Sequence, residues 1–171
     1  IPPFSLNFYR WFFAFLILLP FTYQEVINNK DYILKNKGLF IALGITSITI
    51  FNSIVYYSLY YTQVISGILM ISTIPVWILF FASVLKIEKT NIFQISGVIL
   101  SLTGVLFIIT KADIKLIKEL EFNKGDLSMV IGMLSWAIYS ALLRKKIHPI
   151  SQLATLEIII ICGFIFLTPI Y

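Results

Sequence analysis

Apolar residues run along this chain in long, nearly unbroken stretches. Short polar groups between them mark six segments, at about residues 6–23, 38–60, 63–85, 91–110, 126–144 and 151–171. A helix of roughly 20 apolar residues, rising about 1.5 Å per residue, crosses the ~30 Å hydrocarbon core of a bilayer. Strands of a membrane barrel would read as alternating segments of about ten residues, which these are not. A secretory signal would leave one short apolar region ahead of a polar chain, and that pattern is also missing. The pattern therefore predicts an all-α integral membrane protein, a multi-helix bundle with about six transmembrane helices.

Composition agrees: 59% of the residues are hydrophobic and 12% charged, where soluble domains average roughly 45–50% and about 25%. The net charge of +5 could suggest nucleic acid. Its basic residues sit in short connectors rather than on one helical face, so membrane topology accounts for them and no nucleic-acid partner is expected. Taking alternate connectors, one side of the membrane holds eight basic residues (Lys30, Lys35, Lys37, Lys86, Lys89, Arg144, Lys145 and Lys146) and the other four (Lys111, Lys115, Lys118 and Lys124). The richer side is expected to be cytoplasmic, in a cell (plasma or inner) membrane. An even number of spans puts both ends outside. With no initiating methionine, and with Tyr171 inside an apolar run, the chain reads as a fragment.

The connector 111–125, KADIKLIKELEFNKG, mixes both charge signs, and its Ile114, Leu116, Ile117 and Leu120 fit either a short surface helix or a solvated linker between two halves of a larger protein. Cys162 is the only cysteine, so no intrachain disulfide is possible. His148 is the only histidine and lies in a connector, which assembles neither a metal site nor a nucleophile and base. There is no glycine-rich phosphate loop, and no cofactor is expected.

The chemistry rests on polar residues inside the spans. Thr49, Asn52, Ser53, Tyr56 and Tyr60 recur at helical spacing on one face. Facing lipid, such groups would lose their hydrogen-bond partners, so this face is expected to point at protein or a wet cavity. Asn52 and Tyr56 are the first substrate-contact candidates, with interhelical hydrogen bonding as the alternative. Tyr60 and Tyr61 sit at a span end, where aromatic residues form an interfacial belt. In the next span Pro75 cannot donate to the carbonyl of Ile71, which predicts an interrupted helix. Met70 and Thr73 flank that break and, with Pro75, are candidates to line a substrate cavity, since transporters place such broken helices near the midplane; a merely structural proline is the alternative. Gly97, Ser101 and Gly104 form a stripe expected to be a packing seam between helices. Ser128, Gly132, Ser135 and Tyr139 line one face of the fifth span with Trp136 beside them, and Trp136 and Tyr139 can cradle a flat or apolar solute or simply pack.

Glu157 is the one carboxylate placed clearly inside a span, in LATLEIIIICGF, and an ionisable group there is a candidate for proton coupling. The easier readings are that it snorkels to the interface or stays neutral and hydrogen-bonded. Arg10 lies near an outer interface, where anchoring is the default and contact with an anionic substrate the alternative.

These residues carry a resemblance. Arg10 in NFYRWFFAFLILLPF comes first, followed by YYSLYYTQVISGILMISTIPV with Pro75 in mid-helix and Glu88 closing that span. GVILSLTGVLFI follows with Gly97 and Gly104, and then GDLSMVIGMLSWAIYSALLRKK. In this order and spacing the chain resembles the EamA-type proteins of the drug/metabolite transporter superfamily. The resemblance implies ten helices arranged as two inverted five-helix repeats with a substrate path between them. Residues 1–112 would then be most of the first repeat, 113–125 a connector and 126–171 the opening of the second, whose first helix borders the central cavity.

The function expected is a secondary transporter that moves a small metabolite, such as an amino acid or a hydrophobic or cationic compound, by alternating access. The partners are a small-molecule solute and the lipid bilayer, with a second copy of the chain as a further candidate. The competing readings are an integral-membrane enzyme acting on a lipid-like substrate and a membrane scaffold without solute traffic. Few titratable groups within the spans weigh against the enzyme, and the broken helix and polar faces weigh against the scaffold.

Overall fold

A computed structural model of the chain describes residues 2–87, 89–110, 123–144 and 150–170. Glu88, His148 and nearly all of the 111–125 connector, with its suggested surface helix, lie outside the described residues. Among the described residues every regular element is a helix.

Helix α1 (Pro3–Asn28) opens with proline in its first turn, where the missing N–H costs nothing. A short α2 (Lys30–Lys35) lies between Asn29 and Asn36, each of whose side-chain amides donates 2.9 Å back to a carbonyl four residues earlier. Next, α3 (Lys37–Gly44), a π-helical stretch Ile45–Asn52 and α4 (Ser53–Tyr61) run on as one 25-residue apolar span. Extended backbone at Thr62 and Gln63 turns the chain into α5 (Val64–Ser72). The helix then breaks at Thr73 and restarts as α6 (Ile74–Val84), with Pro75 in the new first turn. The proline thus interrupts the helix where its missing N–H predicts. The remaining helices are α7 (Ile92–Thr110), α8 (Lys124–Leu143) and α9 (Gln152–Leu167), followed by one 3₁₀ turn at Thr168–Ile170.

Four of these spans are long and apolar enough to cross a membrane: Phe4–Asn28, Lys37–Tyr61, Val64–Val84 and Lys124–Leu143. The apolar stretches Ile92–Ile108 and Gln152–Leu167 are shorter, so two of the six expected crossings are short ones among the described residues. The chain is an all-α membrane protein.

The span Lys37–Tyr61 is the centre of the bundle. On one side it packs against α1 and α9, and on the other against α8, which in turn carries α6 and α5. Phe40 and Leu43 of α3 and Ile48 of the π-helix meet Ala154, Ile158, Ile159 and Ile160 of α9 in a fully buried core. Helices in lipid associate by close packing rather than by expelling water, and here two glycines set the approach. A methyl group added at Gly44 would stand 2.6 Å from the backbone nitrogen of Gly163, and one at Gly163 would stand 2.6 Å from Cβ of Ile48.

The seam expected at Gly97 and Gly104 is not used in this way, because a methyl group at either would meet open space. Two glycines at regular spacing make a smooth stripe, but a seam also needs a helix across from it. Among the described residues, α7 presents that stripe to the outside.

Contacts at the two ends join the last turn of α1 to the start of α9, and the turn after α4 to the start of α8. At one end the Glu25 carboxylate accepts from Ser151, at 2.5 Å from its backbone N and 2.7 Å from its Oγ. At the other, the Thr62 hydroxyl donates to the Asp126 carboxylate.

Candidate functional site

The π-helical stretch positions the polar residues. Thr46 Oγ1 and Ser47 Oγ donate back to the carbonyls of Ala42 and Leu43, both at 2.6 Å, and such back-bonding bends and loosens a helix. In the widened turns, side chains from three directions reach backbone carbonyls. Ser135 Oγ of α8 donates 2.7 Å to Thr46 O, Asn52 Nδ2 donates 2.7 Å to Ser47 O, and Asn7 Nδ2 of α1 donates 3.0 Å to Ile48 O and 2.9 Å to Ser53 Oγ. Thr49 Oγ1 also donates 2.9 Å to Gly163 O of α9. π-helical turns are rare and concentrate at functional sites.

Arg10 closes this arrangement. Its two terminal guanidinium nitrogens donate 2.5 Å to Tyr56 Oη and 2.6 Å to Asn52 Oδ1. Its guanidinium carbon lies 4.9 Å from the ring centre of Trp11 and 5.6 Å from that of Tyr56, within cation–π range. Sequence reasoning made Arg10 an interfacial anchor by default. The structure instead joins it to both first-choice candidates, with Asn52 buried and Tyr56 half-buried. Among the described residues its hydrogen-bond partners are neutral. A guanidinium carries five N–H donors, so the fork is not exhausted, and Arg10 itself stays exposed. Such a group can take a carboxylate in two-point contact.

The other candidates fall into separate groups. Trp136 and Tyr139 stand with ring centres 4.9 Å apart, and Trp136 is 4.5 Å from Phe51, the residue before Asn52. This aromatic row therefore meets the central span on its α8 side, while the fork reaches it from α1. Thr73 Oγ1 lies 3.7 Å from Met133 Sδ of α8, Met70 is half-buried and Pro75 exposed, so the α5–α6 break belongs to the α8 side of the bundle. Apolar grooves of about 520 Å³ between α6 and α7, and of about 370 Å³ between α1 and α9, contain none of these polar candidates.

Glu157 lies apart from the fork. It is 1% exposed on α9, and among the described residues neither carboxylate oxygen has a hydrogen-bond partner. Among the described residues, the side chain neither reaches the surface nor takes a hydrogen bond.

Sequence reasoning missed Asn7 and Asp126. Asn7 and Arg10 are three residues apart in an otherwise apolar run, so helical spacing alone puts them on one face. Asp126 stands at the expected start of the fifth span, yet it is 1% exposed. The signal was present in Asn123-Lys-Gly-Asp126, which forms a capping box: Asp126 N donates 3.1 Å to Asn123 Oδ1, and Asn123 N donates 2.8 Å to Asp126 Oδ2.

Comparison with known proteins fits this architecture. The EamA-like transporter family model matches residues 1–110. The chain is similar to the uncharacterized transporter YyaM of Bacillus subtilis (strain 168), at 32% identity over 148 residues, covering 86% of this chain and 48% of that protein. It is also similar to an uncharacterized transporter of Archaeoglobus fulgidus, at 25% identity over 171 residues, covering 98% of this chain and 56% of that protein. The chain thus spans about half the length of the curated relatives it matches. No solved structure matches. With its family model covering well over half of the sequence and its helices long and apolar enough for a bilayer, the chain belongs to the EamA-like transporter family.

Proposed function

We propose that the protein containing this chain is a secondary transporter that moves a small, carboxylate-bearing metabolite of the amino-acid type by alternating access. The observation that carries this reading is the Arg10 fork on Asn52 and Tyr56. A positive charge with neutral partners, on an apolar bundle, suits an anionic group and repels a cation. Among amino acids and hydrophobic or cationic compounds, it therefore favours the first. The aromatic row from Phe51 through Trp136 to Tyr139 offers flat surface for the apolar part of such a solute. The break at Thr73–Pro75 supplies the kind of interrupted helix that transporters use when one repeat rocks against the other. The Lys- and Arg-rich connectors face the cytoplasm in this reading.

The test is uptake by the full-length protein in liposomes of a panel of amino acids, their decarboxylated amines and quaternary ammonium compounds. Saturable uptake confined to carboxylate-bearing members, and lost in Arg10→Ala, is expected. Uptake confined to the amines and ammonium compounds would overturn the substrate class. Turnover of a lipid without uptake of anything would replace transport by membrane enzymology.

A further inference from the structure

Among the described residues, four buried side-chain atoms lack a hydrogen-bond partner: Asn7 Oδ1, Trp11 Nε1 and both oxygens of Glu157. All belong to α1 and α9, two helices that pack along one another, with Phe8 of α1 5.2 Å from Phe164 of α9, ring centre to ring centre, and Glu25 on Ser151. Native interiors leave few such atoms, and each one calls for an explanation. Asn7 faces the central span, where its Nδ2 bonds Ile48 O and Ser53 Oγ, so the pair of oxygens on Glu157 is the one left within the apolar core.

Glu157 is the most demanding of them. It stands in α9 among Ala154, Ile158 and Ile160, which are buried in the apolar core with Phe40 and Leu43. The titratable and charged side chains of the elements around α9 are engaged or placed elsewhere. Arg10 is in its fork, Glu25 on Ser151, and Tyr9, Tyr23 and Lys37 are exposed. Tyr32, Tyr139 and Cys162 pack against the same core, and none of them bonds to Glu157. An ionised carboxylate left without donor or counter-charge is strongly disfavoured in such surroundings. A permanently neutral, unbonded acid gives the core nothing that a leucine would not give better. At 1% exposure, Glu157 is already covered by its own neighbours among the described residues.

We infer that Glu157 is an exchangeable proton-binding site, loaded in the arrangement seen here and discharged when α1 and α9 shift, so that proton movement accompanies the solute. The proposal rests on the transporter reading for its solute, but not for its proton. In this arrangement the carboxylic acid keeps its O–H. When α1 moves relative to α9, water reaches the carboxyl group, the proton leaves to that water, and the resulting carboxylate gains the donors it lacks. Because α1 also carries Arg10, the helix that holds the anion also helps to cover the acid.

The experiment uses the full-length protein in liposomes and dicyclohexylcarbodiimide, an apolar reagent that modifies carboxylic acids in their protonated form, with the site of modification read by peptide mass spectrometry. Glu157 is expected to be modified, less so as pH rises, while the hydrogen-bonded Asp126 is spared. Glu157→Gln is expected to remove the modification and to abolish stimulation of amino-acid uptake by an imposed pH gradient. An unmodified Glu157, modification independent of pH, or uptake that ignores the gradient in the wild-type protein would each overturn the proposal, whatever the variant does. pH-dependent modification of Glu157 with no uptake of any solute supports the proton site and counts against the transporter reading alone.

Discussion

Asp126 and Glu157 are both carboxylates at 1% exposure, yet the chain treats them in opposite ways. Asp126 sits in the first turn of α8, where the helix dipole favours negative charge. It accepts from Asn123 N and from the Thr62 hydroxyl, so both of its oxygens are used. Gly125, beside it, is what permits the fit: a methyl group there would stand 2.8 Å from Ser58 O and from Thr62 N. Glu157 sits mid-helix with both oxygens unused. Burial alone therefore does not tell what a charged residue in a membrane bundle is for. The number of its partners does: a satisfied carboxylate fastens helices, and an unsatisfied one is held ready to change state.

Four substitutions break or sharpen this contrast. The largest effect is expected from Gly163→Leu, which forces α9 away from Ile48 and Gly44 and removes the packing that isolates Glu157. Overpacking costs about 1–3 kcal/mol, and the upper end applies where backbone is the obstacle. A melting scan of the full-length protein in detergent should show a fall of that order, and a neutral result would mean that the two helices do not cross so closely. Next comes Arg10→Lys, which keeps the charge and loses the planar fork. Losing charge-assisted bonds worth about 1.5–3 kcal/mol should lower uptake efficiency roughly 10- to 100-fold with the melting point little changed.

Third, Asp126→Ala removes a cap and leaves Thr62 and Asn123 short of an acceptor. It should lower stability by about 1–2 kcal/mol while uptake per folded molecule stays near wild type. The smallest stability effect belongs to Glu157→Gln, within about 0.5 kcal/mol, because an unbonded acid is replaced by an amide of the same shape. Equal destabilisation by the last two would erase the distinction between them.

Much of the fold is legible in the sequence because lipid enforces a simple rule: a spanning backbone must satisfy itself, so spans are continuous apolar runs and polar residues mark their ends. Pro75 is legible for a similar reason, since a missing N–H weakens a helix interior, although Pro20 stays within α1 without breaking it. What escapes is pairing between distant parts. Arg10 meets Asn52 and Tyr56 from 42 and 46 residues away, and nothing local distinguishes that fork from an interfacial anchor. The π-helical stretch depends on donors from α1 and α8, so local propensity does not reveal it. Gly44 and Gly163 look ordinary beside the regular Gly97 and Gly104, yet only the first two face another helix at close range among the described residues. Asn52 and Tyr56 were found because polar residues in an oily face must have a reason. The same argument applied to Asn7 would have found the other half of the cluster.

The central claim is that Arg10, held by Asn52 and Tyr56, receives the carboxylate of a transported solute. The most direct measurement compares uptake of L-phenylalanine, and of the other amino acids in turn, with uptake of the matching decarboxylated amine by the full-length protein and its Arg10→Ala variant in liposomes. Saturable uptake of an amino acid, none of its amine, and loss of that uptake in the variant is the predicted result. Amine uptake that survives removal of Arg10, with no amino acid carried, would contradict it.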